Sequence, residues 1–214
     1  MPSLASAGSI GAVVIGPCPD RRVCRRVAQC GHQAVETGRV HVEQHVTGRA
    51  LGWYTGHGLR DHSWGPRYWQ APWYYRWLTA NVDQNFGFMA SRVAKKDGPG
   101  TRGGFVWERG QMHYCDDVSI STETRGDDAY HQRITGLLRS SRSGKEWAFT
   151  GEVMDLIPLR NRRQDPDGNW LMTRISEGMT KWTIESGEYA GKVGYGLSEY
   201  LDQIIDGSPV GLAE

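Results

Sequence analysis

No stretch of the 214-residue chain approaches the ~20 consecutive apolar residues that a helical bilayer span requires, and mean hydropathy is −0.56, so no membrane span is expected. An excess of charge of either sign is missing too. Lys and Arg number 25 against 24 Asp and Glu, a net charge of +1, so no global field draws the chain to nucleic acid or to an anionic lipid surface. Cysteine is scarce. Cys18, Cys24 and Cys30 lie at even spacing with His32 behind them, but no Cys-x-x-Cys pair occurs, and Arg21, Arg22, Arg25 and Arg26 would oppose a nearby cation. The expectation is no metal, no cofactor, and free thiols in a reduced, cytoplasmic compartment. The apolar run Ile10 to Ile15 has no positive residue before it and no clear small-x-small site after it, and reads as non-targeting.

Several catalytic signatures are absent as well. Gly56-x-Gly58 lacks the strand–turn–helix setting and the third glycine of a dinucleotide fingerprint. There is no Gly-x-Ser-x-Gly, and Ser63 lacks the small neighbours of a nucleophile elbow. His57 and His62 are five apart, off the i, i+4 spacing of a helical metal pair. Arg160, Arg162 and Arg163 cluster beside Asn161, which reads as a solvated loop.

What is present is the texture of a β protein. Residues 1–36 show neither helical nor strand periodicity and read as a poorly ordered leader; residues 37–206 read as one domain. Residues two apart share a sheet face. On that rule Met112, Tyr114, Val118 and Ile120 fall together, as do Tyr130, Ile134 and Leu138, then Trp147, Phe149 and Val153, then Thr180, Trp182 and Ile184. Turn formers separate them at Asp97–Gly100, Gly126–Asp128, Ser141–Gly144 and Asp165–Gly168. The 28 glycines weigh against long helices; only the tail, with Tyr200, Ile204 and Ile205, has the spacing of a short C-terminal helix. The fold class is therefore all-β, an antiparallel barrel or sandwich.

Chemistry concentrates between residues 53 and 77, where Trp53, Trp64, Trp69, Trp73 and Trp77 alternate with four tyrosines. Such rings either fill a core or line a pocket whose flat apolar walls hold a ligand and whose π faces stabilise a cation. Within this stretch Arg60, Asp61 and His62 stand beside Ser63 and Trp64, bracketed by Gly56, Gly58 and Gly65, in a run that fits neither a clean strand nor a helix. A carboxylate near tryptophan is partly desolvated and favours its protonated form, while Arg60 favours the ionised one. Asp61 is either a general acid or the hydrogen-bonded corner of a bend.

The run Gly58-Leu-Arg-Asp-His-Ser-Trp-Gly-Pro-Arg-Tyr-Trp69 resembles the Asp-His-x-Trp/Phe-Gly signature of the hydroxyneurosporene synthase (carotenoid hydratase) and AttH-like superfamily. Later strings, including Arg102–Trp107, Pro158–Arg162, Arg174–Met179 and Gly194–Tyr200, look like an uncharacterised bacterial branch of it, so the likeness covers about Arg39 to Gln203. The resemblance implies two tandem lipocalin-like (calycin) barrels. About 55 residues precede the motif, too few for a whole first barrel, so the expectation is a C-terminal barrel with residues 37–56 as a remnant of the upstream one. It also implies an apolar ligand, isoprenoid or lipid-like, and hydratase or lyase chemistry: an acid to protonate an alkene, aromatic walls for the cation, and a base for water.

Asp61 is the candidate acid and His62 its orienting or water-activating partner. Parity supplies a second acid, because Glu199 shares a face with Val193, Tyr195 and Leu197; if these point inward, Glu199 is functional or ion-paired to Arg174 or Arg67. Candidate ligand contacts are Arg60, Trp64, Arg67, Trp69, Trp73, Trp77 and Glu177, the last more easily explained as a turn residue. Two functions compete: a hydratase-type lyase, and a non-catalytic carrier or interaction module or truncated inactive fragment, whose missing barrel a second copy or a partner would cover.

Overall fold

In the computed structural model, backbone is described for residues 34–46, 49–62 and 69–212, and side chains for 69–212. Contacts divide the chain into two compact units, Met1–Pro66 and Arg67–Glu214. In the first, β1 (Ala34–Val46) and β2 (Arg49–His62) form an antiparallel hairpin with a bulge at Gln44/His45.

The second unit is built of β3 (Tyr74–Asp83), β4 (Phe86–Ala94), β5 (Thr101–Glu108), β6 (Gln111–Cys115), β7 (Asp117–Arg125), β8 (Tyr130–Ser140), β9 (Lys145–Gln164), β10 (Trp170–Ile184), β11 (Val193–Ile205) and the short β12 (Ser208–Pro209). All pair antiparallel in one sheet of order β6-β5-β4-β3-β11-β10-β9-β8-β7, with β12 on β11. Two meanders, β3 to β6 and β7 to β11, are thus joined where β11 pairs β3. The two edge strands, β6 and β7, are separated in the chain by Asp116 alone. Cys115 and Asp117 are only two Cα–Cα steps of ~3.8 Å apart, so the edges meet at that corner and the sheet must curl. It forms a strongly curled half-barrel. Asp117 at the head of β7 holds the gap, pairing with Arg102 of β5 at 3.1 Å and Arg139 of β8 at 2.9 Å.

The expected turns connect the strands they were read to connect. At Asp165–Gly168 the Asp165 carboxylate accepts from Asn169 N at 2.8 Å, and Gly168 takes φ +84°, a conformation costly for any residue with a Cβ.

The concave face holds the core. Leu78, Phe86, Phe88, Val106, Val118, Ile134, Leu138, Phe149 and Trp182 are essentially inaccessible, with Phe88 stacked on Phe149 at 4.4 Å and Trp182 edge-on to both at 5.5 Å. The parity readings for Trp147, Phe149 and Val153 and for Thr180, Trp182 and Ile184 match this face. Two others need correction. His113 and Cys115, not Met112 and Tyr114, face the core beside Val118 and Ile120, because the strand breaks at Asp116 and resets the alternation. Tyr130 parts company with Ile134 and Leu138 because a bulge in the β7–β8 pairing turns His131 inward instead.

The tail is strand, not helix: Tyr200 and Ile204, four apart, also satisfy the two-residue period of β11. Among the described residues there is no α-helix, and no helix long and apolar enough to cross a membrane.

Candidate functional site

Residues directly opposed across strands place their Cβ atoms ~4.5–5.5 Å apart on one face. Following the register from strand to strand gives a transverse row on the convex face: Ile157 of β9, Glu177 of β10, Glu199 of β11, Trp77 of β3, Ser91 of β4. Three residues singled out in the sequence, Trp77, Glu177 and Glu199, are therefore immediate neighbours.

Glu199 is half-buried and accepts a hydrogen bond from the Tyr75 hydroxyl. Beside it, Trp77 is buried with an indole N–H that has no acceptor; leaving such a donor unsatisfied costs ~1–3 kcal/mol. Glu177 and Glu199 stand directly opposite one another across β10 and β11, so two carboxyl groups share this part of the face. Exposed apolar side chains surround the pair on the same face: Ile157 (62%), Met179 (55%), Tyr195 (55%) and Leu197 (41%).

This geometry corrects two sequence readings. Val193, Tyr195, Leu197 and Glu199 do share a face, but it is the outer one; Gly194, Gly196, Ser198, Tyr200 and Asp202 point inward. The usual rule of apolar residues inward fails because the β3 backbone comes too close for a side chain, a Cβ at Gly194 standing 2.4 Å from Asn81 O and one at Gly196 1.9 Å from Thr79 O, while Ser198 bonds to His131 and Thr180. Glu177 lies in mid-strand β10, fully paired on both sides, and is not a turn residue. Nor does Glu199 pair with Arg174, whose side chain is on the opposite face and donates to the carbonyls of Asp128 and Ala129.

The signature residues fall at the end of β2. In backbone register, Arg60, Asp61 and His62 stand opposite Glu36, Val35 and Ala34, in a regular strand pairing rather than the irregular run read from sequence. The side chains of these three, and Trp64 and Arg67 altogether, lie outside the described residues, as do Cys18, Cys24, Cys30 and His32. Trp69 and Trp73 sit just before β3. The Trp69 carbonyl accepts from Gln203 Nε2 at 2.8 Å, and the Lys96 ammonium lies 5.5 Å from the Trp73 ring centroid.

Two polar clusters on the concave side escaped the sequence reading. At one end Arg76 meets Asp202 through both guanidinium nitrogens, at 3.0 and 3.2 Å, and its guanidinium stacks over Tyr200 at 4.2 Å. Next to it His131 Nε2 lies 2.9 Å from Ser198 Oγ, which lies 2.6 Å from Thr180 Oγ1. Burial pushes His131 down to about 3, against a hydrogen bond to Ser198 and with help from the charges of Arg76, Arg174 and Arg125. A histidine–serine contact resembles an activated nucleophile, but Ser198 is wholly inaccessible and His131 2% exposed, so this pair is a packed network rather than a reactive one.

At the other end Glu108 bonds Lys145 and lies 3.4 Å from Trp147 Nε1 and 3.7 Å from His113 Nε2. Burial raises the Glu108 carboxyl, but the bonds from Lys145 and Trp147 and the Lys145 charge outweigh it and hold it below the usual range. His113 is held low by burial, then by Lys145. The signal for both clusters, polar residues at core parity, exists in sequence but looks like any strand irregularity. Among the described residues no group of three or more His, Cys, Asp or Glu is placed to hold a metal ion.

A family model described as a domain of unknown function, DUF7064, matches residues 26–204. No curated protein matches the chain.

Proposed function

The chain belongs to the DUF7064 family, and from that premise we propose that it binds an apolar small molecule, isoprenoid or lipid-like, on the convex sheet face around Glu199. The observation that carries this reading is a carboxylate held by a tyrosine hydroxyl, next to a buried indole N–H without an acceptor, in a field of exposed apolar side chains. Apolar walls with a few convergent polar groups are what a small-molecule site requires. The concave side of the second unit is packed with its own rings, Phe88, Phe149 and Trp182 among them.

In the hydratase form of this reading, Glu199 delivers a proton to an alkene carbon, the Trp77 and Tyr195 rings face the cation, water adds to it, and Glu177 takes the proton that water loses. A separate reading, in which Asp61 is the acid and His62 orients it, rests on the sequence signature alone and is tested by Asp61→Asn in the same assay. Thermal-shift and mass-spectrometric screening against isoprenoids, sterols and fatty acyl compounds is the direct test. A ligand that stabilises the wild type, binds Trp77→Phe at least fivefold more weakly, and is hydrated by the wild type but not by Glu199→Gln supports the enzyme. Binding without turnover supports a carrier. If no compound binds, the small-molecule reading falls.

The wide exposure of Ile157, Met179 and Tyr195 favours one other reading, an interaction module whose apolar face meets a protein surface. Sedimentation of the wild type and Tyr195→Lys over a hundredfold concentration range checks whether a second copy is that surface. A concentration-dependent dimer lost in the variant supports it, and a monomer throughout removes it.

A further inference from the structure

Two arginines are buried on the concave side of the half-barrel, and they are not treated alike. Arg76, 4% exposed, has a full counter-charge in Asp202 and also donates to the carbonyls of Tyr75, Leu201 and Gly211. Arg174, 6% exposed, has none among the described residues. Its Nη atoms reach the carbonyls of Asp128 and Ala129, its guanidinium stacks on Tyr130 at 4.6 Å, and its Nε is buried without an acceptor. The nearby Asp128 carboxylate faces the exposed Arg160 at 3.6 Å instead.

An uncompensated buried charge is among the costliest arrangements a fold can keep. Both arginines line one cavity of about 20 Å3, together with Thr122, Thr124, His131 and Ser176. That volume suits one particle of water size. The exposed Thr124 and Leu212 line its mouth. Counting charges on the wall, Arg76 and Asp202 cancel, His131 is neutral at pH 7, and Arg174 leaves one positive charge.

We infer that this cavity is a binding site for a single monovalent anionic group, of chloride size or one carboxylate head, held by Arg174 Nε. A neutral water would satisfy the N–H but leave the charge; an anion does both. Two sources share that chemistry, a free ion and the carboxylate of a longer molecule entering past Thr124 and Leu212. The site is on the concave side, independent of the convex row around Glu199.

The test compares the full chain in sodium methanesulfonate, whose tetrahedral head is bulkier than chloride or a carboxylate, with sodium chloride, acetate and hexanoate at one ionic strength. Melting temperature should rise saturably by a few degrees in chloride or acetate, and the rise should vanish in Arg174→Gln and persist in Arg160→Gln. If Arg174→Gln does not fold, Thr122→Val at the cavity wall is expected to weaken the effect at least threefold. A stronger effect of hexanoate than of chloride assigns the carboxylate source, and the reverse assigns the free ion. Bromide-soaked crystals should show anomalous scattering within hydrogen-bond distance of Arg174 Nε. Equal melting temperatures in all four salts, or only a water at that position, would overturn the inference.

Discussion

His131 shows how much a single buried side chain can couple stability to pH. Its folded pKa is lowered to about 3, against about 6.5 in an unfolded chain, so between those values the unfolded state binds more protons than the folded one. The contribution is complete above about pH 6.5, shrinks as pH falls, and is gone near pH 3, at up to about 1.4 kcal/mol per unit. Urea unfolding between pH 7 and 4 should therefore lose stability more steeply in the wild type than in His131→Gln. Equal slopes would show that His131 is not buried as a neutral group.

Asp202 makes the complementary case. With Arg76 and Asp202 both nearly inaccessible, removing the carboxylate charge strands a guanidinium. Asp202→Asn is expected to cost about 3–5 kcal/mol of unfolding free energy, measured by urea denaturation at pH 7; a loss below about 1 would mean that the carbonyls around Arg76 suffice. The backbone N–H of Gly211 also bonds Asp202 Oδ1 at 3.0 Å, so the same variant should release the tail after β12 to faster hydrogen exchange.

At the scale of elements, alternation and turn chemistry were readable wherever a strand ran without interruption, as along β9 and β10. They misled at breaks, since one bulge or one inserted residue moves every later side chain to the other face. The half-barrel also packs strands closer than alternation alone describes. A Cβ at Gly136 of β8 would stand 2.2 Å from Phe149 Cζ, and Phe149 is clamped between Phe88 and Trp182. Gly136→Ala is expected to cost about 1–3 kcal/mol by overpacking, and adding Phe149→Leu should return part of it. Two losses that simply add would show that the ring and the new methyl do not meet.

For the second unit as a whole, the decisive pairing is β3 with β11, whose contact Tyr75–Glu199 joins residues 124 apart in the chain. Loop closure over such separations must precede its reward, which makes β topologies of this kind slow, ms to s. Stopped-flow tryptophan fluorescence should show refolding in that range. Trp77→Phe, at the seam, should slow folding if the seam forms in the transition state and otherwise speed unfolding.

Composition, alternation and turn residues in the sequence by themselves determined the all-β class, the main hairpin turns and most of the core, because these depend on neighbours two to four residues apart. Membership of Trp77, Glu177 and Glu199 in a common stretch of chemistry was legible only as separate candidates. The tertiary structure alone decided that they form one row, that the row faces outward, and that Arg174 lies beside a cavity with no counter-charge of its own among the described residues. Those facts depend on which strands become neighbours and which way the sheet curls, and no local period in a sequence records either.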